Sequence, residues 1–288
     1  MNRLSSIALG ASTLALSLMV AACGRAPQLS ADNIDTVLGH MTLREKIDMV
    51  VGAGNETFTG YGNTKKLVPG AAGTTVPIPR LGITPTVLTD GPAGLRIDTM
   101  REGQSRRYYH TGFPIGTALA SSWNTHLIRE VGEDPLLTGK MAAAYVNGIQ
   151  SQHVGATLKH FAVNNQETNR KDVDVRIAQR PLRELCLRGF EIAVRESHPW
   201  SVMSAYNMIN GQQCMESRDL LTTILRGDMG FDGFVVSDWA APGWRQSGRE
   251  IWAGNDLLAP GSEQQRREIR SALKDGSLSQ AALDSCVL

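Results

Sequence analysis

Residues Gly230–Trp239, with the sequence GFDGFVVSDW, contain the stretch on which the fold prediction rests. Residues 234–236 form a short run without polar side chains, which is typical of a strand buried on both faces of a parallel sheet. The run ends at Ser237 and Asp238, so a carboxylate directly follows a buried strand. In barrel enzymes the catalytic side chains lie at this carboxyl end of the strands. Aspartate is also common at turns for structural reasons, so this stretch alone leaves both interpretations open.

Three further apolar runs also end in polar or charged residues. They are Thr84–Asp90, Val154–Leu158 with the following Lys159 and His160, and Trp200–Asn207. One more short strand is expected at Asn255–Ala259. Each of these runs has the length and composition of a buried strand.

Amphipathic helices are predicted between the apolar runs. A capping box, Thr42–Glu45, indicates a helix that starts near Met41. Further helices are expected from Pro181, from Asp219 to Arg226 with Gly227 as terminator, and after Ser279; Gly52–Val76 is expected to be a long loop. The alternation predicts an α/β protein, most simply a (β/α)8 TIM-type barrel with a single mouth, and a doubly wound sheet is the alternative.

Composition excludes several classes of protein. The 288 residues carry 29 Lys+Arg and 28 Asp+Glu, a net charge of +1, and no basic stripe interleaved with aromatic residues, which argues against nucleic acid as a partner. With 42% hydrophobic residues the chain is globular and not disordered. Cys186, Cys214 and Cys286 lack metal-ligand spacing and are expected to be buried apolar residues. Neither a metal nor a cofactor is predicted.

The N-terminus has the pattern of an export signal. Arg3 is followed by an apolar run that is short for a membrane span, and small residues then precede Cys23, as in a bacterial lipoprotein cleavage site. An ordinary secretory signal cut nearby is the alternative. We expect residues 1–23 to be a lipoprotein-type signal ending at a lipidated Cys23, residues 24–36 a tether, and residues 37–288 the folded domain. This predicts a periplasmic or outer-membrane lipoprotein that contacts membrane only through its lipid.

The polar groups at the predicted strand ends suit a sugar. Sugar hydroxyls require dense hydrogen-bond donors and acceptors, and a sugar ring stacks on an aromatic face, as Trp239 offers. Asp238 is expected to attack the anomeric carbon as in retaining glycosidases. Arg96, Lys159 and His160 are expected to bind hydroxyls and to keep Asp238 ionised. A structural ion pair between Asp90 and Arg96 is the alternative for that pair.

Four motifs, in the same order along the chain, resemble glycoside hydrolase family 3, the β-glucosidase group. They are DGPAGLR (Asp90–Arg96), KHFAVNNQE (Lys159–Glu167), MSAYN (Met203–Asn207) and GFVVSDW (Gly233–Trp239). The resemblance implies that Asp238 is the nucleophile of a retaining β-glucosidase. It also implies a glucosyl subsite lined by Asp90, Arg96, Lys159, His160, Tyr206 and Trp239, with Asn207 in support.

The chain departs from the family pattern in two places. Members of the family continue into a second domain that carries the general acid/base, whereas this chain ends at Leu288 within a predicted helix, so we expect a truncated chain. A few dozen residues, including a sugar-binding arginine, are expected to be missing between Trp123 and Glu133. A barrel that lacks one strand–helix unit would be incomplete and would expose a strand edge.

Glu167 is the candidate replacement for the missing acid. Retaining chemistry requires two carboxyl groups about 5–5.5 Å apart. The alternative, which the resemblance favours, is that Glu167 orients Lys159 and its neighbours. Two functions therefore remain: a β-glucosidase-type hydrolase of β-glucosides or oligosaccharides, and a sugar-binding lipoprotein or inactive remnant of such an enzyme.

Overall fold

The computed structural model describes residues 26–55, 62, 64–91, 94–112, 134–240 and 246–288. Its helices and strands follow one another as α1 (Ile34–His40), α2 (Leu43–Met49), α3 (Thr64–Leu67), β1 (Gly73–Thr74), β2 (Val87–Leu88), α4 (Pro135–Gln150), β3 (Thr157–Phe161), β4 (Asp174–Val175), α5 (Gln179–Pro181), α6 (Arg188–Ser197), β5 (Ser201–Ser204), β6 (Met208–Ile209), β7 (Gln212–Gln213), β8 (Phe234–Ser237), α7 (Ser247–Ala253), α8 (Glu263–Asp275) and α9 (Gln280–Val287). Two π-helical stretches lie at Leu182–Cys186 and Asp219–Asp228.

A parallel sheet in the order β3–β5–β8 forms the centre of the molecule. Single parallel bridges extend it, first from Val236 to Leu257 and then from Leu258 to Val51. The result is an arc of five parallel segments, as the predicted α/β fold requires. Within the part of the chain that the structure describes, this arc does not close into a barrel. The arc brings the carboxyl ends of its strands to one side, which is where the predicted site residues lie.

The main core lies between this sheet and the helices that connect its strands. Val202 of β5 and Val235 of β8 pack against Leu187, Leu221 and other buried side chains of the connecting helices. All four residues of β5 are buried, as is typical of a parallel strand covered on both faces. In contrast, only the last residue of β3 is buried. The β3 strand therefore lies at the exposed end of the arc.

A second core joins the two ends of the described chain. Val51 and Ile47 pack with Leu258, Ile269 and Leu283. The fit is close, because a Cβ atom on Gly52 would lie 2.3 Å from the carbonyl oxygen of Pro260. Two ion pairs reinforce this core: Lys46 with Asp284 at 2.8 Å, and Arg266 with Asp48 at 2.7 Å. The Val51 and Leu258 segments, which are neighbours in the arc, are thereby held together.

Most predicted helix starts are confirmed. Thr42 and Glu45 form the capping box of α2, and the Ser279 side chain caps α9. The prediction that Gly227 ends its helix was wrong, because wider π-type turns carry the helix to Asp228. The glycine with a left-handed backbone is Gly230, at φ 77°.

Other element boundaries also required correction. The predicted loop Gly52–Val76 contains the short elements α3 and β1. The strand expected at Val154–Leu158 begins later, at Thr157, and therefore contains Lys159 and His160. The expected strand at Asn255–Ala259 is reduced to the bridges at Leu257 and Leu258. In each case the register followed long-range pairing that local composition does not specify.

The N-terminal predictions fall partly outside the described residues. The signal segment 1–23 and Cys23 are not described. The described part of the predicted tether contacts the domain: the backbone N–H of Leu29 donates to Leu81 at 2.8 Å, and Ala26 packs near Leu81. Helix α1 begins at Ile34, inside the predicted tether. Among the residues that are described, no helix has both the length and the apolar composition needed to cross a membrane.

Candidate active site

Asp238 directly follows β8 and is almost fully buried, with 8% of its surface exposed. Its Oδ1 accepts a hydrogen bond of 2.7 Å from the backbone N–H of Trp239. Its Oδ2 lies 3.4 Å from Nε2 of His160 and has no hydrogen-bond donor among the described residues. One carboxylate oxygen is therefore bonded to the backbone, while the other is shielded from water and faces the imidazole of His160. This arrangement suits a nucleophile.

His160 reaches Asp238 because β3, β5 and β8 are parallel neighbours with their carboxyl ends on one side. The β3–β5 register shifts between Leu158 and Phe161, and the peptide bonds preceding His160 and Ala162 are cis. Burial lowers the pKa of His160; the Asp238 carboxylate opposes this shift, and the nearby Lys159 and Arg170 add to it. A lowered pKa keeps the imidazole neutral at neutral pH. His160 can therefore hydrogen-bond a hydroxyl without neutralising Asp238.

Asp90 forms ion pairs with two cationic side chains. Lys159 Nζ lies 3.2 Å from Oδ1 and Arg96 Nη1 lies 3.4 Å from Oδ2. The Arg96 side chain is 81% exposed, and an ion pair so open to solvent contributes about 0–1 kcal/mol to stability. A purely structural role for the Asp90–Arg96 pair would therefore contribute little. The cluster instead presents exposed donors and acceptors of the kind that bind sugar hydroxyls.

Trp239 is held on two sides. Its indole Nε1 donates to the carbonyl of Ala72 at 2.9 Å, and its carbonyl accepts a hydrogen bond from the Tyr206 hydroxyl. The ring lies beside Gly73, where a Cβ atom would be 3.6 Å from the indole. The indole next to Asp238 is thus held by Ala72 and Gly73 at the start of β1, and the Trp239 backbone is held by Tyr206 after β5.

Glu167 and Asn207 lie in different surroundings from Asp238. The Glu167 side chain is 86% exposed and pairs with Arg170 at 3.3 Å. Asn207 is fully buried, and its amide donates to the carbonyls of Ala162 and Met208 at 3.2 Å each. Asn207 therefore ties the end of β5 to the end of β3, below the site.

The structure adds two basic residues that the sequence reasoning did not select. The Arg170 guanidinium and the Lys171 ammonium each lie 5.2 Å from the centroid of the Tyr206 ring. Both come from the loop after β3, which two-residue strands fasten beside Tyr206. Strands that short have no periodicity, so only the position of these residues shortly after Glu167 could have pointed to them.

A cavity of about 180 Å³ lies beside Lys159 and His160. Its lining is mostly polar toward the strand end and apolar toward the helices; the residues are Lys159, His160, Val163, Asn164, Asn165, Cys186 and Phe190. Burial raises the pKa of the Cys186 thiol, so the thiol is protonated and unreactive. Across the described ranges, no group of three or more His, Cys, Asp or Glu side chains could hold a metal ion.

Comparison with known proteins identifies the family. The model of the glycosyl hydrolase family 3 N-terminal domain matches residues 129–287. The thermostable beta-glucosidase B of Acetivibrio thermocellus is 36% identical over 89% of this chain and 37% of its own length. The exo-alpha-(1->6)-L-arabinopyranosidase of Bifidobacterium longum is 37% identical over 70% of this chain and 32% of its own length.

The same similarity appears in three dimensions. The structure of beta-glucosidase 3B from Thermotoga neapolitana in complex with alpha-D-glucose superposes with a TM-score of 0.79 at 43% identity, covering 88% of this chain and 41% of that one. The chain thus spans between 32% and 41% of the length of these relatives. The A. thermocellus alignment extends over 297 residues although it uses 89% of a 288-residue chain, so this chain lacks several dozen of the aligned positions.

The strand-end geometry, the four ordered motifs and a family model that covers more than half of the residues lead to one conclusion: the chain belongs to glycosyl hydrolase family 3 and contains the N-terminal domain of that family.

Proposed function

We propose that this chain hydrolyses β-glucosides by a retaining mechanism in which Asp238 is the nucleophile. The observation that carries the proposal is the buried Asp238 carboxylate, with one oxygen bonded to the Trp239 amide and the other without a hydrogen-bond donor among the described residues. The unbonded Oδ2 would attack the anomeric carbon as the bond to the leaving oxygen breaks. Water would then attack the anomeric carbon of the glycosyl ester and release the Asp238 carboxylate, and the two inversions together give net retention.

The surrounding side chains would hold the sugar in the position this attack requires. Lys159, Asp90 and Arg96 form a charged hydrogen-bonding cluster for hydroxyls. Neutral His160, 3.4 Å from Asp238, would bind a hydroxyl next to the reacting carbon. Trp239 would form an aromatic wall of the subsite. Correct positioning of the nucleophile accounts for a large part of the rate in such reactions.

The sugar is proposed from the relatives. A beta-glucosidase and a glucose-bound beta-glucosidase structure favour a terminal β-glucosyl group. An arabinopyranosidase among the relatives shows that a protein of similar sequence acts on another sugar. We therefore propose a β-glucoside or a β-glucosyl-terminated oligosaccharide as substrate, with arabinopyranosides as the first comparison in a substrate panel.

Covalent labelling tests the nucleophile directly. The full chain is incubated with 2,4-dinitrophenyl 2-deoxy-2-fluoro-β-glucoside, whose leaving group departs without an acid, and peptides are then mapped by mass spectrometry. We expect one adduct, on Asp238, and none in Asp238→Asn. Asp232→Asn, the same change at an exposed position in the same stretch, should still be labelled. A folded wild-type chain that gains no adduct would overturn the proposal.

A non-catalytic sugar-binding role is the second candidate. The exposure of Glu167 and its pairing with Arg170 favour it, because an exposed ion-paired carboxylate is poorly suited to donate a proton to a leaving group. Titration calorimetry with glucose separates the two. Glucose binding without any adduct at Asp238 would support the binding protein, and an adduct would exclude it.

We also propose that the protein is exported and anchored through a lipid on Cys23. The support is the order of Arg3, the short apolar run and the small residues before Cys23. Metabolic labelling with a palmitate analogue, compared between wild type and Cys23→Ser, tests this. Mature protein with an unmodified Cys23 would refute the anchor.

A further inference from the structure

Lys171 makes two contacts that link the loop after β3 to the segment after β8. Its Nζ donates to the carbonyl oxygen of Ala240 at 3.0 Å. The same ammonium lies 5.2 Å from the centroid of the Tyr206 ring, within the range of a cation–π interaction. The Lys171 residue is half-buried, although its hydrogen bond to Ala240 is open to solvent.

The fold places Lys171 there by strand pairing. Strand β4 runs parallel to β6, with Asp174 opposite Met208, and the Met208 N–H donates to the carbonyl of Val173 at 2.9 Å. Since Tyr206 lies two residues before Met208, the pairing brings the preceding loop against the Tyr206 ring.

The segment that Lys171 contacts adjoins the nucleophile. The carbonyls of Trp239 and Ala240 each accept a side-chain hydrogen bond, from Tyr206 and Lys171 respectively. Ala240 has a φ of 52°, a left-handed conformation that alanine rarely adopts and that persists only where neighbouring contacts enforce it. The Trp239 N–H in turn donates to Asp238 Oδ1. A displacement of this segment would therefore move the carboxylate.

We propose that Lys171 is a positioning residue for Asp238: it holds the carbonyl of Ala240 and the ring of Tyr206, and thereby fixes the backbone that orients the nucleophile. The expected effect on catalysis rests on the proposed function. The structural role of Lys171 rests only on the contacts described above. Lys171 is not among the residues proposed above to bind the sugar. Its loss is therefore expected to slow formation of the glycosyl-enzyme without weakening binding of the reagent.

The test compares Lys171→Met, which keeps the aliphatic stem but removes the donor and the charge, with Lys171→Arg, which retains both. The matched control is Lys140→Met, because Lys140 forms an ion pair at 2.7 Å with Glu196 on the helical surface, outside the site. Circular dichroism and thermal melting establish that each full-length variant is folded. Two quantities are measured: the kinetics of labelling by the fluoroglucoside, and deuterium uptake of the peptide containing Phe234–Ala240.

We expect the maximal labelling rate of Lys171→Met to fall about tenfold with an unchanged reagent concentration at half-maximal rate, because only orientation is lost. Lys171→Arg should recover most of the rate, and Lys140→Met should match wild type. Deuterium uptake should rise in the Phe234–Ala240 peptide of Lys171→Met alone. Wild-type rate and uptake in Lys171→Met would overturn the proposal.

The two proposals fail differently. If wild type itself gains no adduct, the proposed function fails, and deuterium uptake still decides whether Lys171 holds the segment. If wild type is labelled but Lys171→Arg is as slow as Lys171→Met despite normal melting, the positioning role is refuted while the function stands.

Discussion

The raised pKa of Asp256 allows a quantitative prediction of how the free energy of unfolding depends on pH. The residue lies at the amino end of β8, where its carboxylate accepts hydrogen bonds from the Arg226 side chain and, at 2.7 Å, from the Val235 N–H. Cys286 of α9 also lies against it. Burial raises the pKa of Asp256 from 3.8 to about 6, and the bonds from Arg226 and Val235 only partly oppose the shift. Burial therefore disfavours the ionised form of Asp256 in the folded protein relative to the unfolded chain.

The sign of the effect follows from linkage. The folded state holds this proton more tightly than the unfolded state, so the associated stability is fully present below pH 4 and is lost as pH rises through 6. A shift of about two pKa units corresponds to about 3 kcal/mol of unfolding free energy. In Asp256→Asn the side chain cannot titrate, so this part of the pH dependence should disappear.

The assay is chemical denaturation of wild type and Asp256→Asn at a series of pH values from 4 to 7. We expect the difference in unfolding free energy to change by about 2–3 kcal/mol across this range, in favour of the variant as pH rises. The control is Asp228→Asn, since Asp228 is 49% exposed and pairs with Arg183 at the surface. Its pH profile should parallel wild type. A parallel profile for Asp256→Asn as well would refute the reasoning.

Three further predictions concern the site and the core. Glu167→Gln should change the labelling rate at Asp238 by less than about fivefold, because its carboxylate is exposed and ion-paired; a loss of a hundredfold, measured with the same fluoroglucoside, would assign it a catalytic role. Tyr206→Phe, which removes the hydrogen bond to the Trp239 carbonyl, should slow labelling about tenfold, and an unaltered rate in kinetic measurements would contradict this. Gly52→Ala should destabilise the chain by about 3 kcal/mol, because the new Cβ would lie 2.3 Å from the carbonyl oxygen of Pro260. The control is Gly39→Ala in α1, where nothing lies within 4 Å of the new Cβ and the change should stabilise the chain by up to about 1 kcal/mol. Equal denaturation midpoints for the two variants would disprove the packing argument.

The sequence correctly predicted those helices and strands that depend on residues close together along the chain. The apolar run before Asp238 became β8, and the Thr42 capping box begins α2 as expected. The ion pair between Asp90 and Arg96, which the sequence analysis gave as one alternative, is observed at 3.4 Å. These features depend on residues close together in sequence.

Features that depend on distant pairing were not predictable in the same way. Arg170 and Lys171 reach Tyr206 only because β4 pairs with β6, and both strands have two residues. Asp256 was expected within an ordinary strand, whereas it bonds to Val235 and to a π-helical arginine. Asn255 likewise binds Ser204 at 2.7 Å across the sheet. Such contacts carry no local periodicity or capping signal, so composition near each residue is uninformative.

The bridge between Val51 and Leu258 has a consequence for the order in which the chain assembles. The neighbours β3, β5 and β8 are close in sequence, so they can associate as soon as the ribosome releases them. Val51 is synthesised long before any of them, whereas its partner Leu258 is synthesised after all three. During that interval Ile47, Val50 and Val51 lack the partners that bury them, and exposed apolar side chains of this kind are bound by chaperones and aggregate in their absence. The segment that contains Val51 is therefore made before the other parallel segments and can complete its pairing only after them.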